Sequence, residues 1–158
     1  MNHQQLLDTL RQEKERLFQY ASYRLPTTQD AEDALQDLYI SMTDKQREIS
    51  LDNPKPYIYR ALSNICVDRL RKMRYFESLE SNISITEPEN FDEEFKIINS
   101  LLSLLPKEQS EIIRLHLHCA MTFAEVAEIT ALPVATVKSR FRYGIAHLRD
   151  ELKRLDIL

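Results

Sequence analysis

One glycine, Gly144, stands in a chain of 158 residues. Glycine takes positive φ without strain, so phosphate-cradling loops, dinucleotide-binding turns and chains of tight β-hairpins all call for several. Their shortage leaves helices as the framework. A hydrophobic fraction of 43% supplies helical cores for one domain or two small ones, but not a large enzyme cleft. Cys66 and Cys119 lack C-x-x-C spacing, make neither a disulfide framework nor a zinc site, and read as reduced core thiols. No apolar run approaches a bilayer span. The expectation is a soluble cytoplasmic protein without direct membrane insertion.

Residues 122 to 148, TFAEVAEITALPVATVKSRFRYGIAHL, carry the strongest local pattern. Thr122 with Glu125 three residues later is a capping box, so a helix starts near Phe123 and presents Phe123, Val126, Ala127 and Thr130 on one side. Ala131, Leu132 and Pro133 break it, and Pro133 suits the edge of a second helix. There Val137, Phe141, Ile145 and Leu148 form an apolar seam, leaving Lys138, Ser139, Arg140 and Arg142 outside. A tight turn followed by a helix with an outward cationic face is a helix-turn-helix suited to a DNA major groove. The competing account of the cations is a solvated helix face.

Toward the N-terminus, Leu6, Leu7, Leu10, Leu17, Phe18, Ala21 and Leu25 predict one or two amphipathic helices ending at Pro26. Thr27 with Asp30 starts another, with Ala31, Ala34, Leu35, Leu38, Tyr39 and Met42 inward and Asp30, Glu32, Asp33, Gln36 and Asp37 outward. Carboxylates in a first helical turn are favoured by the helix dipole, and no other catalytic group accompanies Glu32 and Asp33. No catalytic residue is assigned. Lys45 to Pro56 reads as a loop. Tyr57, Ile58, Ala61, Leu62, Ile65, Cys66 and Leu70 then define a helix running into the cations Arg69, Arg71, Lys72 and Arg74, with Arg60 upstream. Tyr57, Tyr59, Tyr75 and Phe76 stand around them. Rings interleaved with cations suit a single nucleic-acid strand, while tyrosines at a core edge explain the same residues without a ligand.

The net charge of −4 is unevenly spread: +1 over residues 1 to 76, −7 over 77 to 95, and +2 over 96 to 158. The middle stretch, interrupted by Pro88 and lacking a helical stripe, reads as an extended acidic linker. Ile97, Ile98, Leu101, Leu102, Leu104 and Leu105 restart helical periodicity, Pro106 begins the next helix, and Ile112, Ile113, Leu115 and Leu117 continue it. His116, His118 and Cys119 look like metal ligands on paper, but positions 116 and 118 point about 200° apart on a helix and nothing completes a site. They read as boundary residues, with no metal or other cofactor. The fold expected is all-α: two small helical domains, 1–76 and 96–158, joined by the acidic linker 77–95, the C-terminal one a helix-turn-helix.

With those parts in order the chain resembles a bacterial sigma factor of the extracytoplasmic-function (ECF) group. DAEDALQDLYISM (30 to 42) is similar to that family's AED-x-x-Q segment, NPKPYIYRALSNICVDRLRK (53 to 72) to its N-x-x-x-D-x-x-R segment, and LPKEQSEII with LPVATVKSRF to its promoter-binding domain. The resemblance implies an RNA polymerase subunit that directs transcription initiation. Asp30, Glu32, Asp33, Gln36 and Asp37 would dock on the β′ clamp coiled coil of core polymerase. Tyr57 and Asn64, with Arg60, Arg69, Arg71, Lys72 and Arg74 on nearby phosphates, would hold the melted minus-ten element. Thr136, Lys138, Ser139, Arg140 and Arg142 would read the minus-thirty-five duplex. The linker would thread toward the RNA exit path, the β flap would be a further polymerase contact, and an anti-sigma factor is an expected partner. Tyr57 stands where the family usually has Trp, Tyr143 to Ile145 replace a more basic stretch, and the turn lacks the usual glycine. Two other functions fit the charges: a free-standing helix-turn-helix regulator of duplex DNA, and a helical adaptor that binds only proteins.

Overall fold

The computed structural model describes residues 3–44, 53–77 and 93–157, and every regular element among them is a helix. They fall into two units, Met1–Asn90 and Phe91–Leu158.

In the first unit the leucine stripe is delivered by two helices, α1 (His3–Gln12) and α2 (Lys14–Arg24), which meet at Glu13. Leu6, Leu10, Leu17, Tyr20 and Ala21 are buried, each large side chain contributing about 1.5–3 kcal/mol. α3 (Thr28–Met42) starts as its capping pattern predicts: the Asp30 N–H donates to the Thr27 hydroxyl at 3.0 Å. Its buried face is Ala31, Ala34, Leu35, Leu38 and Met42, and Tyr39 is only half-buried. The loop expected over Lys45 to Pro56 ends early, because α4 (Pro54–Glu77) includes both prolines. The Lys55 N–H donates to the Asn53 side chain at 3.2 Å, and Pro54 occupies a first-turn position where no intrahelical N–H is needed. Residues 45–52 lie outside the described residues.

The second unit holds α5 (Glu93–Leu102), α6 (Lys107–Ile113), a π-helical turn (Arg114–His118), α7 (Phe123–Thr130) and α8 (Val134–Arg154). α4 runs to Glu77 and α5 begins at Glu93, so helix takes both ends of the stretch expected as linker. Glu93 and Glu94 fill the first turn of α5, where carboxylates are stabilised by the dipole. The rest of that stretch, 78 to 92, lies outside the described residues. Pro106 caps α6 rather than opening it. Arg114, which no apolar periodicity marks, is fully buried and donates to the Asn99 side chain at 2.9 Å.

Gly144 is buried where α8 passes α6. A Cβ there would lie 2.8 Å from Ile113 Cδ1 and 3.2 Å from Gln109 Cβ, so the missing side chain permits the close approach of the two helices. Among the described residues no helix is long and apolar enough to cross a membrane.

Candidate nucleic-acid and partner interfaces

The outward side of α3 borders a groove of about 870 Å³ whose opposite wall comes from α1 and α2. Glu32, Asp33 and Gln36 line it with Gln29 on the α3 side, Arg11 and Lys14 face them, and Phe18, Leu35 and Tyr39 give it an apolar base. The Tyr39 hydroxyl is buried with no hydrogen-bond partner among the described residues, and burial pushes the phenol above its ordinary pKa of 10.0. The two other carboxylates expected on this face are engaged elsewhere. Asp30 accepts from the Thr27 hydroxyl at 2.7 Å in the cap of α3. Asp37 accepts from Arg69 Nη2 of α4 at 2.6 Å.

α4 sorts its residues by face. Arg60, Asn64, Arg71 and Arg74 are exposed at spacings of four, seven and three, which puts them in one row, and half-buried Tyr57 precedes Arg60 on the same side. Lys72 is exposed as well, but about 100° round the helix from Arg71, off the row and on the side toward Arg69. Arg69 does not join the row: nine residues from Arg60, it lies about 180° round the helix, turned toward α3. Tyr59 is no stacking platform either. It is fully buried, meets Tyr20 edge-on at 5.8 Å, and its hydroxyl donates to Glu13 at 2.9 Å. Tyr75 and Phe76 fall in the last turn of α4, where their side chains lie outside the described residues.

Glu13 was not singled out among the charged residues, although the spacing signals it: Leu10, Glu13 and Leu17 keep the three-then-four step of a buried face. Its side chain is 11% exposed, and its carboxylate also has Arg16 and Lys55 nitrogens at 3.6 and 3.7 Å. A buried carboxylate deprived of such partners costs several kcal/mol. The network therefore sets the first turn of α4 against the α1–α2 corner.

In the second unit both capping-box bonds are present: the Glu125 N–H donates to the Thr122 hydroxyl at 3.1 Å and the Thr122 N–H to the Glu125 carboxylate at 3.0 Å. The turn closes on Ala131 at φ 56, ψ 39, the left-handed conformation for which glycine is usual. The His116 ring stacks on Phe123 at 4.0 Å and meets Phe141 edge-on at 4.9 Å, while its Nδ1 lies 2.7 Å from the Met121 carbonyl. His116 is thus packing that ties α7 to α8. Val126 and Val137 are fully buried between the two helices.

On α8, Lys138 and Arg142 are exposed within about 40° of each other, whereas half-buried Arg140 with Thr136 lies about 160° away from both. Ser139 falls between the two flanks, in line with exposed Ala135, a small residue that the charge pattern did not reveal. A helix of this kind in a major groove turns its centre to base edges and its two flanks to opposite walls.

Known proteins match along the chain in the same order. The family model described as Sigma-70 region 2 matches residues 9–75, and that described as Sigma-70, region 4 matches residues 95–148. The ECF RNA polymerase sigma factor SigW of Bacillus subtilis (strain 168) is 24% identical over 160 residues, covering 90% of this chain and 86% of its own. The ECF RNA polymerase sigma factor SigK of Mycolicibacterium vanbaalenii is 28% identical over 131 residues, covering 75% and 67%. Among solved structures, the sigma factor RpoE in complex with the anti-sigma factor NepR from Bartonella quintana superposes with a TM-score of 0.73 at 22% identity, covering 92% of this chain and 95% of that one. CnrH in complex with the cytosolic domain of CnrY gives 0.66 at 20% identity, covering 97% and 90%.

Proposed function

This chain belongs to the sigma-70 family, as an RNA polymerase sigma factor of the extracytoplasmic-function type, and from that premise we propose how its surfaces divide promoter recognition between them. It acts in the cytoplasm as a transcription initiation factor, without enzymatic activity of its own. Catalysis of nucleotide addition belongs to the polymerase. The groove side of α3 docks on the β′ clamp coiled coil through Glu32, Asp33 and Gln36, with Asp30 and Asp37 at its borders.

α4 engages the melted minus-ten element. Arg60, Arg71, Lys72 and Arg74 neutralise phosphates of the separated strand, Tyr57 stacks at the edge of the melted region, and Asn64 receives a flipped base. Unpairing and unstacking one base costs a few kcal/mol, and a pocketed base with neutralised phosphates offsets that cost. α8 enters the major groove of the minus-thirty-five element, with Lys138 and Arg142 toward one wall, Thr136 and Arg140 toward the other and Ser139 at the base edges. This unit also faces the β flap. The complex of RpoE with the anti-sigma factor NepR supports an anti-sigma partner for this chain as well.

The observation that carries this division is the separation of charge by face. Carboxylates border the α3 groove, and an exposed row of Arg60, Arg71 and Arg74 surrounds Asn64 on α4. The test is run-off transcription from a promoter pool by core polymerase with and without the purified chain. Transcripts that start at defined sites only in its presence are expected; a chain that neither attaches to core enzyme nor produces a defined start removes the reading.

A further inference from the structure

We infer that Asp37 and Arg69 form a positioning pair that holds the distal, cation-bearing half of α4 in register with α3. Neither side chain acts chiefly as a contact to polymerase or promoter. The inference rests on the functional division above, reassigns Asp37 within it and gives Arg69 a task.

The fully buried side chains described on α4 are Ile58, Tyr59, Leu62 and Cys66, all in its first thirteen residues. Beyond Cys66 the helix carries Arg71, Lys72 and Arg74, all exposed, with only half-buried Leu70 and Met73 between. Among the described residues this distal half is tied to α3 by the bond from Arg69 Nη2 to Asp37 Oδ2, a short charge-assisted bond of 2.6 Å. The Arg69 side chain is 26% exposed and its Nε is buried with no hydrogen-bond partner among the described residues, so the guanidinium is lodged in the α3–α4 seam. It points away from the row of Arg60, Asn64 and Arg71.

Among the described residues the fully buried anchors of this long helix lie in its first half, which leaves the remainder freer to roll or bend. An ion pair about one turn past Cys66 fixes its rotation there, and with it the direction in which Arg71, Lys72 and Arg74 face. The carboxylate belongs to the helix that carries Glu32, Asp33 and Gln36. The pair therefore joins the polymerase face to the strand face through one bond, between residues whose charges taken singly suggest two unrelated ligands.

The experiment is a charge exchange in the full chain, assembled with core polymerase on a promoter template. Open-complex yield is read by permanganate reactivity, polymerase affinity by titration, and folding by thermal unfolding. Asp37→Arg and Arg69→Asp are each expected to lower open-complex yield by about two- to tenfold at saturating polymerase, the range of a partly exposed ion pair with a repulsive contact added. The doubly exchanged chain is expected to recover most of it. Asp37→Asn, which keeps the shape, is expected to lower the yield with an unchanged thermal midpoint and unchanged minus-thirty-five duplex binding. Failure of the exchange to rescue, or an Asp37→Arg defect confined to polymerase affinity and indifferent to residue 69, overturns the inference and makes Asp37 a docking contact. A wild-type chain that opens no promoter removes the functional reading itself, and the inference with it; a working wild type with unrescued variants removes the inference alone.

Discussion

Tyr39 is the residue at which packing and chemistry disagree most. Its ring completes the base of the α3 groove while its hydroxyl is buried with no partner among the described residues, a deficit that costs about 1–3 kcal/mol. Tyr39→Phe is therefore expected to raise stability by about 1 kcal/mol in urea unfolding near neutral pH, and a destabilised variant would mean that the hydroxyl is satisfied in solution. The pH dependence has a definite sign. Burial raises the phenol above its ordinary 10.0, so the folded chain keeps a proton that the unfolded chain gives up. Below that value both states are protonated and the contribution is intact; above it the unfolded state ionises first and stability falls until the folded pKa is passed. The Phe variant should lose less stability than wild type as the pH rises above 10.0. Glu13 teaches the complementary lesson. A carboxylate on an apolar spacing is a buried group awaiting a partner, but its partners, Tyr59 and Lys55, stand more than forty residues away and are brought to it only by folding.

The helix-turn-helix was legible as an element because its signals are local. The capping box, the turn ending at Pro133 and the seam of Val137 and Phe141 all lie within a few turns of one another, and all are present in the fold. Thr122→Ala is expected to cost about 1 kcal/mol of stability by freeing the first backbone donors of α7. A thermal midpoint unchanged in that variant would show that water replaces the cap at no cost. Gly144→Ala sets two effects against each other. Alanine gains about 1 kcal/mol in helix propensity, but its methyl would sit 2.8 Å from Ile113 Cδ1 and 3.2 Å from Gln109 Cβ. Overpacking of that kind costs about 1–3 kcal/mol, and because Gln109 Cβ belongs to the root of its side chain it cannot swing aside, so net destabilisation is expected in denaturant unfolding. A more stable alanine variant would show that α6 and α8 separate readily. Element boundaries were less legible: α4 starts at Pro54 because Asn53 supplies the cap, and α5 starts at Glu93 in an acidic run that as composition alone resembles linker.

For the molecule as a whole, the functional reading requires that binding be dominated by phosphates. Promoter affinity of the assembled holoenzyme should fall with a slope steeper than about −3 in a plot of log affinity against log salt, and Arg142→Ala should make it shallower by about 0.9. A flat salt dependence would favour a protein-binding adaptor, for which the same cations are solubilising faces. The sequence alone specified the all-helical class, the order of the segments and the helix-turn-helix, because glycine scarcity, helical periodicity and capping act between residues a few positions apart. The tertiary structure was needed to say which polar residues serve ligands and which serve each other. Asp37 and Arg69, Glu13 and Tyr59, and Arg114 and Asn99 are pairs separated by 15 to 46 positions, and their charges look like binding groups until folding sets them face to face. Charge is legible in a sequence, but its neutralisation is not, because a Coulomb interaction depends on distance in space and not on distance along the chain.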